Sequence, residues 1–437
     1  MTVTAIARML DGYRRASLSE VHEMPTADPA VSSAKSKTPE RLLAVEEART
    51  KILSAVTPPG PVAATQLPLR EAAGRVLAAD VSATLSMPRW PNSAMDGYAL
   101  RLADAQRGPL TISQRVAAGT APDALAPGTA ARIFTGAPIP EGADTVVMQE
   151  HCHADDDHVS VEMLPEVGAN IRGAAEDFSR SDPVLRAGRH LRPQHIALAA
   201  SAGATEVVVH RRLRIALLIT GDELAPPGTP LGDGQIHESN GHMLAALAEQ
   251  LGAVIQNIAN VPDDDEATRD ALAVAADSAD LVITSGGASV GDCDHVRSAA
   301  ESIGDLAFFG IAVKPGKPLS FGRISDTPLL IMPGNPVSLF VTFLLFGAPL
   351  VRRLQARDLT MPEALWVPAG FEQTTTRIRA DYIRVRLKDG RAVPCGGQGS
   401  GILTPTAAAD GLACIPAHTT VARGEPLAYY PMASLME

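Results

Sequence analysis

From residue 211 onwards, short apolar runs alternate with helical periods, and a glycine-containing break follows several of the runs. The runs at 215–219, 254–259, 281–284, 306–313 and 329–332 are of strand length. Strands covered on both faces read as such continuous apolar stretches. Between them, 240–251 sets Met243, Leu244, Leu247 and Leu251 on one helical face. Asp263, Asp264 and Asp265 suit the cap of a helix through about residue 276, and another helix is expected over 295–303. Strands alternating with helices predict a three-layer α/β domain over 211–360, with a mainly parallel sheet. Its ligands would sit at the carboxyl ends of the strands.

The rest of the chain follows other patterns. Thr38-Pro39-Glu40 signals a helix start, with Leu43, Val45, Ala48 and Ile52 on its apolar side. A second helix is predicted over 69–77, weakened by Gly74. Short strands and turns then run to about 170, with strands expected from Arg132, over 146–149 and over 159–163. A helix over 192–202, entered at Pro193, returns to the earlier style. This predicts a discontinuous helical and β linker domain, 39–88 with 178–210, interrupted by an inserted β-rich domain, 89–177. Residues 1–38 read as a loose tail. From 361 the helical periods stop, 383–387 alternates and 425–430 ends in a strand, so a small barrel-like β domain is expected over 361–437.

Composition narrows the picture. With 437 residues the chain exceeds one ordinary core, and 46% hydrophobic with 20% charged residues is the balance of a soluble globular protein. A net charge of −11 argues against a nucleic-acid partner but leaves room for a local basic pocket. Cys152, Cys293, Cys395 and Cys414 form no C-x-x-C pair, so a reducing, cytoplasmic setting is expected. Arg8 and Asp11 interrupt the first apolar run, so no signal peptide is expected. The most apolar stretch, 337–351, is shorter than the ~20 residues of a spanning helix, and a buried helix is expected instead of a membrane segment. The group His151, Cys152, His153, Asp155 to Asp157 and His158 fits no zinc spacing and predicts a solvated hairpin loop.

The candidate chemistry gathers at the ends of the apolar runs. After 281–284 come Ser285, Gly286 and Gly287, then Asp292 and Asp294. A strand, a glycine turn and a helix start can hold an anion, and acids can hold a divalent cation that neutralises it. The same letters also describe an ordinary strand-to-helix turn. Asp222, Glu223 and Asp263 add acids, and Lys314 and Lys317 add cations. That is equipment for a phosphorylated ligand, a divalent metal and charge developing on oxygen. No hydrolase triad, P-loop or dinucleotide fingerprint is present.

Six motifs in order carry a resemblance: Pro-Asn-Ser-Ala-Met-Asp-Gly-Tyr-Ala at 91–99, Thr-Gly-Ala-Pro at 135–138, Thr-Gly-Asp-Glu-Leu at 220–224, Ser-Gly-Gly-Ala-Ser-Val-Gly at 285–291, Lys-Pro-Gly-Lys-Pro at 314–318 and Pro-Gly-Asn-Pro-Val-Ser at 333–338. From about 43 to 430 the chain resembles the molybdopterin molybdenumtransferases, the family of MoeA and the gephyrin E domain. The resemblance implies an α/β domain of the MoaB and MogA type. It also implies the last step of molybdenum cofactor synthesis: adenylated molybdopterin binds with Mg²⁺, molybdate enters, the dithiolene takes up the metal and AMP leaves. By motif match, Asp222, Glu223, Asp263, Ser289 and Asp294 would serve the pterin nucleotide, with Glu223, Asp263 and Asp294 as metal ligands. Thr220, Gly221, Ser285, Gly286, Gly287, Gly291, Pro333, Gly334 and Asn335 would line the substrate site. Lys314, Lys317 and Ser338 would hold molybdate, and Arg384 and Ser400 match an oxyanion pocket. Asp96, Thr135 and Asp177 match functional positions of the inserted domain, which in the family reaches across a homodimer. The catalytic set implied is Asp294, Glu223, Asp263, Lys314, Asp96 and Asp177. An adenylyltransferase upstream and apo-molybdoenzymes downstream would be partners.

Two departures stand out. Some members have Arg-x-x-Gly-Glu-Asp where this chain has Arg172-Gly-Ala-Ala-Glu-Asp177, and some carry a lysine at the position of Gly310. Other readings are an adenylyltransferase one step earlier, a molybdopterin-binding scaffold without transfer, and tungstate in place of molybdate.

Overall fold

The computed structural model describes residues 41–58, 64–287 and 295–437. The α/β part is built on a six-stranded sheet in the order Val254–Val261, Arg214–Thr220, Leu281–Ser285, Thr327–Met332, Ser320–Ile324, Gly304–Phe309. The first four strands are parallel, and the last two join by antiparallel pairing. Successive strand residues point to opposite faces. Ile215, Leu217, Ile219, Leu281, Ile283, Leu330 and Met332 therefore enter one core, with helix Asn240–Gln250 and the helical run Pro336–Leu354. Ala216, Leu218, Val282, Leu329 and Ile331 enter the other, with helices Asp265–Ser278 and His295–Ile303. This double coverage is why the strands read as unbroken apolar runs.

The run Pro336–Leu354 is long and apolar enough to cross a membrane by length and composition, yet it is 94% buried within the protein. It widens to a π turn over Phe343–Gly347, just ahead of Pro349, which has no N–H to offer the preceding turn. At the opposite end of the sheet from the glycine loops, Asp280 accepts hydrogen bonds from Arg211 (2.5 and 2.7 Å) and from the Arg214 backbone (2.8 Å). Burial alone would raise its pKa; the two arginines outweigh that and hold it at about 2.

Three local expectations need correction. The first described helix is Val45–Ser54, with Ala44 at its N-cap position; Thr38-Pro39-Glu40, expected to open it, lies outside the described residues. Leu43 precedes it and bridges to Ile311, and Val45, Ala48 and Ile52 pack into the α/β core rather than into the linker domain. The helix expected over 69–77 stops at Ala72, because Gly74 turns the chain with φ +75°. The run 306–313 splits. Gly304–Phe309 stays in the α/β sheet, and Val313–Lys314 pairs in parallel with Ala380–Lys388 of the last region.

The linker strands pair as Ala64–Pro68 with Glu206–His210 and Val81–Ser82 with Pro183–Leu185. Met87 and Phe178 bridge where the chain leaves and re-enters. Between them lies a six-stranded sheet in the order Thr145–Met148, Gly97–Leu100, Thr129–Ile133, Leu110–Val116, His158–Val161, Cys152–Ala154. Its last two strands form the predicted hairpin, with the Asp155 carboxylate accepting from the N–H groups of Asp157 (2.9 Å) and His158 (2.7 Å). Ala175, which replaces a glycine of the family pattern, still adopts the left-handed conformation with φ +58°. The final sheet runs Val313–Lys314, Ala380–Lys388, Gly411–Ile415, Pro426–Pro431, Leu365–Pro368. Ala380–Lys388 is buried on both faces over its first half, since Tyr382 meets the α/β core while Ile383 and Val385 meet the domain's own core.

Two predictions follow from these contacts. A carboxylate with a depressed folded pKa stabilises above its unfolded pKa, and that contribution is lost as pH falls through the folded value. Asp280→Asn should therefore cost about 1–2 kcal/mol at pH 7, with the difference shrinking between roughly pH 4 and about 2. Urea unfolding across that range checks it, and a pH-independent difference would contradict it. Ala175→Gly should raise stability by up to about 1 kcal/mol by relieving the left-handed strain; an unchanged or lower melting temperature would count against that account.

Candidate active site

Three parallel strands end side by side, and their outgoing loops build one cavity. Gly286 donates its N–H to Met332 O (3.2 Å) and has φ +95°. A Cβ there would stand 2.5 Å from Thr220 Oγ1 and 2.6 Å from Thr220 O, so glycine lets the 285–287 loop lie directly on the 220–224 loop. Asn240, at the start of its helix, donates from Nδ2 to Ser285 Oγ (2.9 Å) and to Gly334 O (2.6 Å), tying the second and third loops together. The resulting cavity of about 490 Å³ is lined by Thr220, Gly221, Glu223, Asp263, Ser285, Gly286, Gly287, Pro333, Gly334, Asn335 and Ser338, all expected from sequence. It is also lined by Glu238 and Asn240, which sequence reasoning missed as site residues.

The acids have distinct placements. Glu223 and Asp263 face this cavity. Asp222 is not among its lining residues; it braces Asp263 through reciprocal backbone-to-carboxylate bonds of 3.4 and 3.2 Å. Ser289, Gly291 and Asp294 lie outside the described residues.

A second cavity, about 510 Å³, adjoins the first and shares Pro318 and Ser338 with it. Lys314, Lys317, Arg379 and Ser400 line it. Lys314 Nζ donates to Asp381 Oδ2 (3.2 Å), which also accepts from Arg377 Nε (2.9 Å), so the ammonium is tethered at the wall. Ser338 is 4% exposed and sits in the first turn of the helix that begins at Pro336. Ser400 closes the junction, its carbonyl accepting from Val337 N–H at 3.1 Å. The two cavities thus meet at Pro318 and Ser338, with acids on one side and cations on the other.

Arg384 differs from expectation. It is fully buried and does not line the cavity among the described residues. Its Nη2 donates to Gly397 O (2.8 Å) and Gly399 O (3.3 Å), so it props from behind the turn that forms the wall. Burial lowers its pKa, and Asp381 works against that shift. Arg379 stands in the wall instead; its signal in the sequence was a basic Arg377-Ile-Arg379 run just ahead of the strand. Gly310, where some relatives have lysine, has φ +79°, and a Cβ would meet Leu42 Cδ2 at 2.8 Å. A lysine there would be strained in this chain.

The inserted-domain motifs converge on each other. Asn92–Ser93 pairs with Ile171–Arg172, Ser93 N–H donates to Ala137 O (2.9 Å) and Ala175 N–H to Pro88 O (2.9 Å). The Asp96 carboxylate accepts from Thr135 N (2.7 Å) and Thr135 Oγ1 (2.8 Å), which hold its pKa below the usual range. Asp177 is exposed nearby in sequence to the paired segment. Among the described residues, Asp96, Thr135 and Asp177 line neither cavity.

Three family descriptions match the chain in order: the MoeA N-terminal region (domain I and II) at 43–203, a probable molybdopterin binding domain at 216–353 and the MoeA C-terminal region (domain IV) at 367–432. The molybdopterin molybdenumtransferase of Haemophilus influenzae is 40% identical over 319 residues, covering 72% of this chain and 78% of its own length. Molybdopterin molybdenumtransferase 2 of Mycobacterium tuberculosis is 38% identical over 371 residues, covering 80% and 90%. The crystal structure of a molybdopterin biosynthesis moeA protein from Pyrococcus horikoshii OT3 superposes with a TM-score of 0.77 at 29% identity, over 89% of this chain and all of the other. The ordered motifs, the joined cavities and these relatives agree, and the chain belongs to the molybdopterin molybdenumtransferase family.

Proposed function

We propose that this molybdenum cofactor transferase uses its two joined cavities for the two substrates of one reaction. Adenylated molybdopterin occupies the acidic cavity at the strand ends. Molybdate occupies the cationic one. The observation that carries this reading is the wall the two cavities share, formed by Pro318 and the buried residue Ser338.

Molybdate is a tetrahedral dianion, and paired cations with a hydroxyl donor suit it. Lys314, Lys317 and Arg379 supply the charge and Ser338 the donor. The Asp381 tether fixes where the Lys314 ammonium stands. In the other cavity, the 285–287 loop brings backbone close to the ligand, as a phosphate requires. Glu223 and Asp263 are hard oxygen donors in one wall, a donor set that fits Mg²⁺, and Asp294 joins them by motif match. Bound there, Mg²⁺ would neutralise the phosphate oxygens of the anhydride whose cleavage releases AMP. Glu223, Asp263 and Asp294 would hold it, and Asp222 keeps the Asp263 loop in place.

Among the described residues, Asp96, Thr135 and Asp177 line neither cavity of their own chain, which supports a homodimer whose second copy presents them. The proposed setting is cytoplasmic, with an adenylyltransferase supplying the substrate and apo-molybdoenzymes receiving the product.

Purified protein given adenylated molybdopterin and Mg²⁺ should release AMP only when molybdate is added. Release without molybdate, or AMP transfer from ATP onto bare molybdopterin, would overturn the assignment. Lys314→Ala should cut product formation by about 10²-fold or more while leaving the melting temperature near that of the parent. Charge reversal at Lys388, exposed on the last domain, should change turnover by less than about twofold; full activity in the first variant or a large loss in the second would break the map.

A further inference from the structure

Behind the lysines of the second cavity runs a chain of charges that begins outside its wall. Lys314, Lys317 and Arg379 are the charged lining residues, and no acid lines this cavity among the described residues. The acid that touches the set is Asp381, buried on the strand beside Lys314. Residues 314 and 381 stand opposite one another where Val313–Lys314 pairs with Ala380–Lys388. Asp381 Oδ2 accepts from Lys314 Nζ at 3.2 Å and, on the same oxygen, forms an ion pair with Arg377 Nε at 2.9 Å. Arg377 is not a lining residue, and its side chain is 44% exposed. Its carbonyl accepts from His418 N–H (2.6 Å), which anchors it to the last domain. Arg379 Nη1 donates to Val313 O (3.3 Å), so the 377–381 segment grips the lysine strand at its backbone and at its side chain. Arg384 also feels the Asp381 charge from behind the wall, but its hydrogen bonds go to Gly397 and Gly399.

A lysine ammonium carries three N–H groups. One goes to Asp381, which leaves the others for a ligand. A carboxylate paired with Lys314 alone would hold the ammonium but also cancel its charge. Arg377 on the same oxygen supplies the opposite charge, so Arg377 and Asp381 together are neutral and Lys314 keeps its charge for the cavity. Resting on the placement of molybdate given above, we propose that the Arg377–Asp381 pair makes this cavity selective for a doubly charged tetrahedral oxyanion. It fixes Lys314 without discharging it, and three uncompensated cations face the dianion. Arg377 and Asp381 are positioning residues that act through Lys314, since neither lines the cavity. Coulomb energy scales with the product of the charges. A charge gained or lost near the site therefore shifts a dianion's binding free energy twice as far as that of a monoanion of the same shape. The fold-change for the dianion is then the square of that for the monoanion.

The probes are molybdate and perrhenate, tetrahedral oxyanions of similar size that carry two charges and one. Calorimetry on the full chain at low ionic strength, where screening is weak, measures molybdate binding directly and perrhenate binding by competition with it. Arg377→Gln leaves the Asp381 charge to Lys314. It should weaken molybdate about tenfold and perrhenate only about threefold. In turnover it should raise the KM for molybdate and leave that for adenylated molybdopterin within about twofold. Arg377→Gln combined with Asp381→Asn removes the pair as a neutral unit. That variant should regain the parent's ratio of the two affinities, with both anions held more weakly because Lys314 has lost its tether. Arg377 is exposed, so the single variant decides the matter even if replacing buried Asp381 impairs folding. Equal losses for the two anions in the single variant, or changes below twofold for both, would overturn the proposal. So would a double variant that keeps the ratio of the single one. If Lys314→Ala leaves the molybdate affinity of the parent unchanged, molybdate binds elsewhere, and the functional placement falls together with this inference.

Discussion

Two loops of this chain touch backbone to backbone, and the candidate site depends on that contact. The 285–287 loop lies on Thr220 so closely that any side chain at residue 286 would collide with it, at 2.5 Å from the threonine hydroxyl. Because the loops meet there, the ends of three parallel strands form one concave wall. Asn240 then ties in the third loop through Gly334. Parallel strands bring their carboxyl ends to one edge, and helices returning over both faces leave that edge open to a ligand.

The second dependence is between domains. Lys314 belongs to a two-residue strand that has left the α/β sheet to pair with Ala380–Lys388. The helix carrying Ser338 begins under the carbonyl of Ser400. Lysines, serine and the 396–400 turn are thus held by hydrogen bonds that cross from one domain to the other. Arg384 stiffens the same turn from inside, at the cost of burying a guanidinium whose Nε and Nη1 find no partner among the described residues. Arg384 props the wall and Arg379 lines it, and motif matching could not tell one from the other.

Much of the fold was legible because double-faced burial leaves a strong trace. The helix expected over 295–303 is His295–Ile303, and the strand expected over 281–284 is Leu281–Ser285. What failed was local signal overridden by distant partners. Leu43 has the spacing of a helix face, but the described helix begins at Val45, after Leu43 has bridged to Ile311. The run 306–313 looked continuous because both of its halves are apolar; its division reflects a sheet that lies nearly 70 residues away. For the site, the motif residues at strand ends were readable as a set. Glu238 and Asn240 were not, since Ser239-Asn240 before an amphipathic stretch reads as an ordinary helix entry, and their place in the cavity wall appears only with the neighbours in position.

The account stands on two adjoining cavities with one shared wall, and diffraction at the molybdenum absorption edge tests it most directly. Crystals of the protein soaked with AMP, Mg²⁺ and molybdate should place the nucleotide phosphate against the 285–287 loop. The anomalous molybdenum peak should lie between Lys314 and Lys317, within hydrogen-bonding reach of Ser338. A molybdenum peak among Glu223 and Asp263, or a nucleotide among the lysines, would contradict the division of the site into an acidic nucleotide cavity and a cationic oxyanion cavity.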